Sequence, residues 1–149
     1  MSSPLTLPSR DDDKANDDMT LSPLCILAAE DSASNRILLQ AYLKKTPHRL
    51  DLAENGSIAV DMFGAVRYDL VLMDMEMPVM DGYLATRAIR QWEHEQGRPP
   101  LPIIALTAYT RKEETQKCLD AGCTAYLSKP ITKAALLAAI IEHARSPAA

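Results

Sequence analysis

The signatures of secreted, membrane-bound and nucleic-acid-binding chains are missing from this 149-residue sequence. Its N-terminus has no basic segment followed by an apolar core, and no apolar stretch approaches the length of a membrane span. No stripe of Lys and Arg runs along it, and the net charge is −4, so no nucleic-acid surface and no membrane contact are expected. Cysteine is scarce. Cys25, Cys118 and Cys123 leave one odd, and the pair in "CLDAGC" has neither a second pair nor nearby histidines to complete a zinc site. Reduced, packed thiols and a cytoplasmic location are the expectation. His48, His94 and His143 read as surface residues and offer no Ser-His-Asp set. No segment recurs at the period of a repeat protein.

What is present is an ordinary globular composition, 47% apolar, in a length that fits one domain. The charge is unevenly placed. Asp11, Asp12, Asp13, Asp17 and Asp18 against Arg10 and Lys14 put −3 into the first 22 residues, which also mix Ser and Pro with few apolar groups. Such a segment cannot offset the entropy of ordering by burial, so residues 1–22 read as a disordered tail or linker. The folded domain is expected over 23–145, with a short C-terminal tail over 146–149.

Within that domain short apolar runs alternate with amphipathic segments. "LCILAA", "HRLDLA", "YDLVLMD", "LPIIALT" and "AYLSKP" read as five strands. Between and after them come five helices: "SASNRILLQAYLKKT" with Ser32 as cap, "GSIAVDMFGAV", Gly82 to Glu93, "TRKEETQKCLDAG", and "TKAALLAAIIEHA" with Thr132 as cap. In the fourth helix Thr110 and Glu113 have capping-box spacing and Gly122 is the stop. "EHEQGRPPLP" reads as a loop, because its glycine and prolines forbid a continuing helix. Strands apolar on both faces, alternating with helices, predict an α/β fold with a parallel sheet covered on each side.

Ligands of open α/β sheets bind outside the carboxyl ends of the strands. At those ends this chain places Glu30 and Asp31, then Asp74, Thr107 and Lys129. Any one of them alone is an ordinary surface residue. Three carboxylates together repel one another unless a cation joins them, and magnesium suits best, since it accepts one or two carboxylates and bridges to phosphate oxygens. The lysine and the hydroxyl are what the remaining oxygens of a phosphoryl group require. Met73, Met75, Met77 and Met80 lie nearby, and read as packing rather than as a soft-metal site.

The acidic pair after the first strand, "MDMEMPVMDG", "ALTA" and "YLSKP", in this order, resemble the receiver domains of two-component signalling, most of all those of hybrid sensor histidine kinases. The resemblance runs from Leu24 to about Ala144. It implies a flavodoxin-like, doubly wound five-stranded sheet in the order 2-1-3-4-5 with five helices. It also implies that Asp74 is the catalytic nucleophile, phosphorylated from a phosphohistidine on a histidine kinase or a histidine-phosphotransfer domain. By the same resemblance Asp31 and Asp74 ligate magnesium directly, the Glu76 backbone carbonyl is a further ligand, and Glu30 acts through water. Thr107, the Ala108 amide and Lys129 then hold the phosphoryl group, Thr107 and Tyr126 form the switch, and a cis bond joins Lys129 to Pro130. Such a domain serves a phosphorelay and catalyses its own phosphorylation and dephosphorylation without being an enzyme in the ordinary sense. It acts alone in the cytoplasm or as the cytoplasmic part of a membrane sensor kinase. An effector protein is expected on the face of the fourth helix, fifth strand and fifth helix, and the phosphodonor near Ser34, Asn35, Pro78 and Pro130.

Two other readings share part of this pattern. Haloacid-dehalogenase-like phosphohydrolases also form an aspartyl phosphate but place a second Asp two residues after the nucleophile, where this chain has Glu76. A flavodoxin-like cofactor module needs a phosphate loop after the first strand, where "EDSASN" instead repels phosphate unless a metal intervenes.

Overall fold

The computed structural model describes residues 22–144. Ser22 apart, the tails expected over 1–22 and 146–149 lie outside the described residues. Five strands, β1 (Cys25–Ala29), β2 (Arg49–Ala53), β3 (Leu70–Asp74), β4 (Ile103–Thr107) and β5 (Ala125–Ser128), form one sheet in the order β2-β1-β3-β4-β5. Every neighbouring pair is parallel. The helices between and after them are α1 (Ala33–Leu43), α2 (Gly56–Ala65), α3 (Gly82–Glu95), α4 (Lys112–Ala121) and α5 (Lys133–His143). No helix of the described residues is long and apolar enough to cross a membrane.

Side-chain alternation along each strand sorts the core into two layers. Ile26, Ala28, Leu70, Leu72, Ile104 and Leu106 pack with Leu39 and Leu43 of α1 and Leu136 and Ile140 of α5. Leu27, Ala29, Val71, Met73, Ile103 and Ala105 pack on the opposite side with residues of α2, α3 and α4, among them Phe63, Tyr83, Ile89 and Cys118. The central strands β3 and β4 are buried at every position, whereas β5, at the sheet edge, alternates between half-buried and exposed. Met73, Met75 and Met77 belong to the core, with Met80 packed against it. The three cysteines are free, and burial pushes the Cys123 thiol up to about 11.

Four helices are capped by a side chain: Ser32, Asn55, Asp81 and Thr132 accept from the N–H groups of Asn35, Ile58, Leu84 and Ala135. The capping box expected at Thr110 does not form. α4 starts one residue later than that spacing requires, its N-cap is Arg111, and no side chain makes a capping bond there; Glu113 and Glu114 lie in the first turn, at the positive end of the helix, instead. α3 also differs from expectation: it runs two residues past Glu93 and ends where Gly97 adopts a positive φ of 67°.

A buried ionic knot ties α3 to its neighbours. Glu93 accepts from Arg90 at 2.8 Å and from the Leu101 N–H at 2.9 Å, while Arg90 Nε donates to the Gly122 carbonyl at 2.9 Å. Three chain segments, α3, the end of α4 and the approach to β4, meet on this one ion pair.

Candidate functional site

Strand alternation also explains which chemical groups meet. Glu30 continues the row Ile26–Ala28, Asp74 the row Leu70–Leu72, and Lys129 follows Leu127, so all three fall on the α1/α5 side of the sheet. Thr107 continues Ile103–Ala105 and falls on the side of α2, α3 and α4. The first three accordingly form one cluster. Lys129 Nζ lies 3.0 Å from Asp74 Oδ1 and 3.3 Å from Glu30 Oε1. Glu30 Oε2 accepts from the Ser32 N–H at 3.1 Å, and the Glu30 carbonyl accepts from Arg36 Nη1 at 2.9 Å, which fixes the chain where β1 turns into α1.

Asp74 is fully buried, and its Oδ1 also accepts from the Glu76 N–H at 3.1 Å. Its Oδ2 is buried with no hydrogen-bond partner among the described residues. Burial is the main reason that the carboxyl is pushed up to about 7; Lys129 opposes the shift and Glu30 adds to it. Burial likewise works against the Lys129 ammonium, but its bonds to Asp74 and Glu30 outweigh that and hold its pKa above the usual lysine value.

Asp31 completes the cluster from an exposed position. One oxygen from each of Glu30, Asp31 and Asp74 lies within 4.8 Å of the others. These three carboxylates and one ammonium sum to −2 when all are charged. An all-oxygen donor set with surplus negative charge and an unpartnered buried oxygen fits a hard divalent cation.

Thr107 and Ala108 make a second group of contacts, which the sequence does not announce. The Thr107 hydroxyl donates to Glu76 Oε2 at 2.8 Å and accepts from the Tyr109 N–H at 3.0 Å, and the Ala108 N–H donates to Glu76 Oε1 at 3.2 Å. The resemblance assigned Glu76 only through its backbone carbonyl; its side chain holds both donors. Tyr126 on β5 is 42% exposed. The Lys129–Pro130 peptide is cis.

Two residues of the loop after β3 support the site without having been singled out for it. Gly82 opens α3 against the end of β3, where a Cβ would overlap the Asp74 carbonyl and the Met75 backbone. Only glycine lets α3 begin there, and Asp81 caps it. Val79, 84% exposed, has a φ of 69°, a left-handed conformation that a β-branched residue rarely adopts. Val79→Asn is therefore expected to stabilise the fold by about 1 kcal/mol, since asparagine tolerates this backbone and little packing is lost. A higher urea midpoint at unchanged slope is the expected observation; an unchanged or lower midpoint contradicts it.

Comparison with known proteins identifies the family and the fold. A family model described as the response regulator receiver domain matches residues 26–141. The sensor histidine kinase GacS of Pseudomonas protegens is 38% identical over 117 residues, 78% of this chain but 13% of that protein. Histidine kinase 5 of Arabidopsis thaliana is 37% identical over 158 residues, 89% of this chain and 17% of that protein. The chain thus spans under a fifth of the length of these curated relatives. Among solved structures, the receiver domain of a Pseudomonas aeruginosa sensor histidine kinase, with a magnesium ion coordinated in its active-site cleft, superposes with a TM-score of 0.73 at 38% identity. That match covers 82% of this chain and 98% of that one. The Saccharomyces cerevisiae receiver domain of Ssk1, in complex with the histidine-phosphotransfer protein Ypd1, gives 0.80 at 32% identity, covering 83% and 90%.

Proposed function

Given that this chain belongs to the response regulator receiver family, we propose that Asp74 is its phosphoacceptor in a phosphorelay. The donor is a phosphohistidine on a histidine kinase or a histidine-phosphotransfer domain, and the domain spans residues 23–145. The observation that carries the assignment is the Asp74 carboxyl itself. It is buried at a strand end, with one oxygen on Lys129 and the other without a partner among the described residues, beside two further carboxylates. The hydrolase alternative finds no support in the likenesses described above.

In the transfer step an Asp74 carboxylate oxygen forms a bond to phosphorus as the phosphorus–nitrogen bond to the donor imidazole breaks. The electron pair stays on the imidazole nitrogen, which takes up a solvent proton. The product is a mixed anhydride, open to attack by water, and hence a signal or relay intermediate rather than a permanent mark. Asp31, Asp74 and the Glu76 carbonyl would hold magnesium, with Glu30 acting through water, and the bound ion would offset repulsion between the phosphoryl oxygens and the acidic cluster. Lys129 orients the Asp74 carboxylate and favours its ionised form against the larger opposing effect of burial, then pairs with the phosphoryl group. Thr107 and the Ala108 amide supply hydrogen bonds to the same oxygens.

Thr107 moving toward the phosphoryl group, with Tyr126 turning inward, is the proposed switch. A partner that distinguishes the two conformations, on the face formed by α4, β5 and α5, reads the state. A cytoplasmic setting accords with the free thiols.

The assignment is tested by incubating the protein with magnesium and acetyl phosphate and measuring intact mass. One phosphoryl increment is expected, and borohydride reduction of the acyl phosphate followed by peptide mapping should place the modified residue at position 74. No increment, or a modified residue elsewhere, rejects it.

A further inference from the structure

The two donors that the proposed reaction needs for the incoming phosphoryl group are already in use. Thr107 Oγ1 donates to Glu76 Oε2 at 2.8 Å, and the Ala108 N–H donates to Glu76 Oε1 at 3.2 Å, so one carboxylate spans both. The remaining capacity of the Thr107 hydroxyl goes into its own loop, accepting from the Tyr109 N–H at 3.0 Å and lying 3.2 Å from the Tyr109 carbonyl. Meanwhile Asp74 Oδ2 lacks any partner among the described residues. The anion-binding half of the site is closed by an internal anion while the nucleophilic half stands open.

We propose that the Glu76 carboxylate is an intramolecular stand-in for the phosphoryl group, holding Thr107 and the Ala108 amide in the resting state and competing with phosphorylation of Asp74. The inference rests on the assignment of Asp74 as acceptor and adds to it a residue that sets the threshold for acceptance. A two-pronged carboxylate imitates two phosphoryl oxygens in both charge and spacing, and a charge-assisted hydrogen bond is stronger than a neutral one. An incoming phosphoryl group must therefore first break a pair of such bonds. Glu76 reaches the donors because it lies only two residues past Asp74, on the loop that turns toward α3, on the side of the sheet where Thr107 also falls. Tyr126 is 42% exposed in the same structure in which Glu76 occupies both donors.

Three variants separate this from a general effect of charge. Glu76→Ala removes the stand-in, Glu76→Gln keeps its shape but not its charge, and Glu113→Gln removes an acidic charge from the same cleft without touching Thr107 or Ala108. Two measurements are made. In the metal-free protein, amide NMR should show the Ala108 and Tyr109 resonances shifting in Glu76→Ala and unmoved in Glu113→Gln. With magnesium, both beryllofluoride affinity and the rate of phosphate uptake from acetyl phosphate should rise about tenfold in Glu76→Ala, the worth of roughly one hydrogen bond to a charged group. The rise should be smaller in Glu76→Gln and under twofold in Glu113→Gln. Equal rises in Glu76→Ala and Glu113→Gln, or none in Glu76→Ala while the wild-type protein is phosphorylated, overturn the stand-in and leave Asp74 as acceptor. If no variant and no wild-type protein takes up phosphate, the acceptor assignment itself falls, and the stand-in with it.

Discussion

Asp74→Asn takes up no phosphate from acetyl phosphate under conditions where the wild-type protein gains one phosphoryl group, and in metal-free buffer at pH 8 it is the more stable of the two. The first result follows from loss of the only oxygen nucleophile proposed at the site. The second follows from the ionisation of the buried carboxyl. Its pKa is about 7 in the fold, against 3.8 for the ordinary group, with burial the main cause. Between those values the native state holds a proton that the unfolded state has released, so stability from this group is greatest below about pH 4 and declines as the pH rises to about 7. A rise of that size sets a ceiling of ~4 kcal/mol on the effect. Because the variant leaves Lys129 with Glu30 alone, a gain on the order of 1–2 kcal/mol is expected at pH 8. At pH 4 the two proteins should converge. Magnesium should narrow or reverse the gap at pH 8 by binding the wild-type native state. Thermal melts at pH 4 and pH 8, with and without magnesium, give the four comparisons. Equal phosphate uptake by the two proteins, or a less stable variant at pH 8 without metal, contradicts the account.

Glu93→Ala is expected to cost about 3 kcal/mol, the lower range for breaking a buried ion pair, because the Arg90 left behind keeps some access to water. Two losses combine there: the Arg90 guanidinium loses its counter-charge, and the Leu101 N–H loses its acceptor just before β4 begins. Glu93→Gln should recover part of the loss, since an amide oxygen can still accept from Leu101 while the charge is gone. Urea unfolding with a fixed slope measures both. A loss in Glu93→Ala below about 1 kcal/mol would mean that the knot is incidental to the fold. The site is expected to suffer little beyond the loss of folded protein, because none of its groups touches Glu93.

β3 and β4 were legible in the sequence because they are covered on both faces, so their apolar runs are uninterrupted until Asp74 and Thr107. Ser32 and Thr132 were legible as caps because each directly precedes a clear helical period. Asn55 and Asp81 cap equally well, but each sits beside a glycine and reads as a turn. Thr110 failed for the opposite reason: capping-box spacing is necessary but not sufficient, and the backbone set the helix start one residue later. The cluster of Glu30, Asp31, Asp74 and Lys129 could be read because strand ends and period-two alternation dictate it. The Glu76 side chain could not, since its direction depends on how the chain turns after β3. The need for glycine at position 82 was equally hidden, being a close approach between two segments rather than a property of either.

The missing cap of α4 bears on how much work a signal has to do. Every other helix is pinned at its start by a side chain, and α4 buries only Cys118 and Ala121. With no cap bond to break and little apolar surface to expose, displacing the first turn of α4 carries a low free-energy cost. That turn is also the first helical segment reached from Thr107. In the switch proposed for Thr107, a small energetic input would therefore shift the population of conformers in α4 and leave the pinned helices where they are.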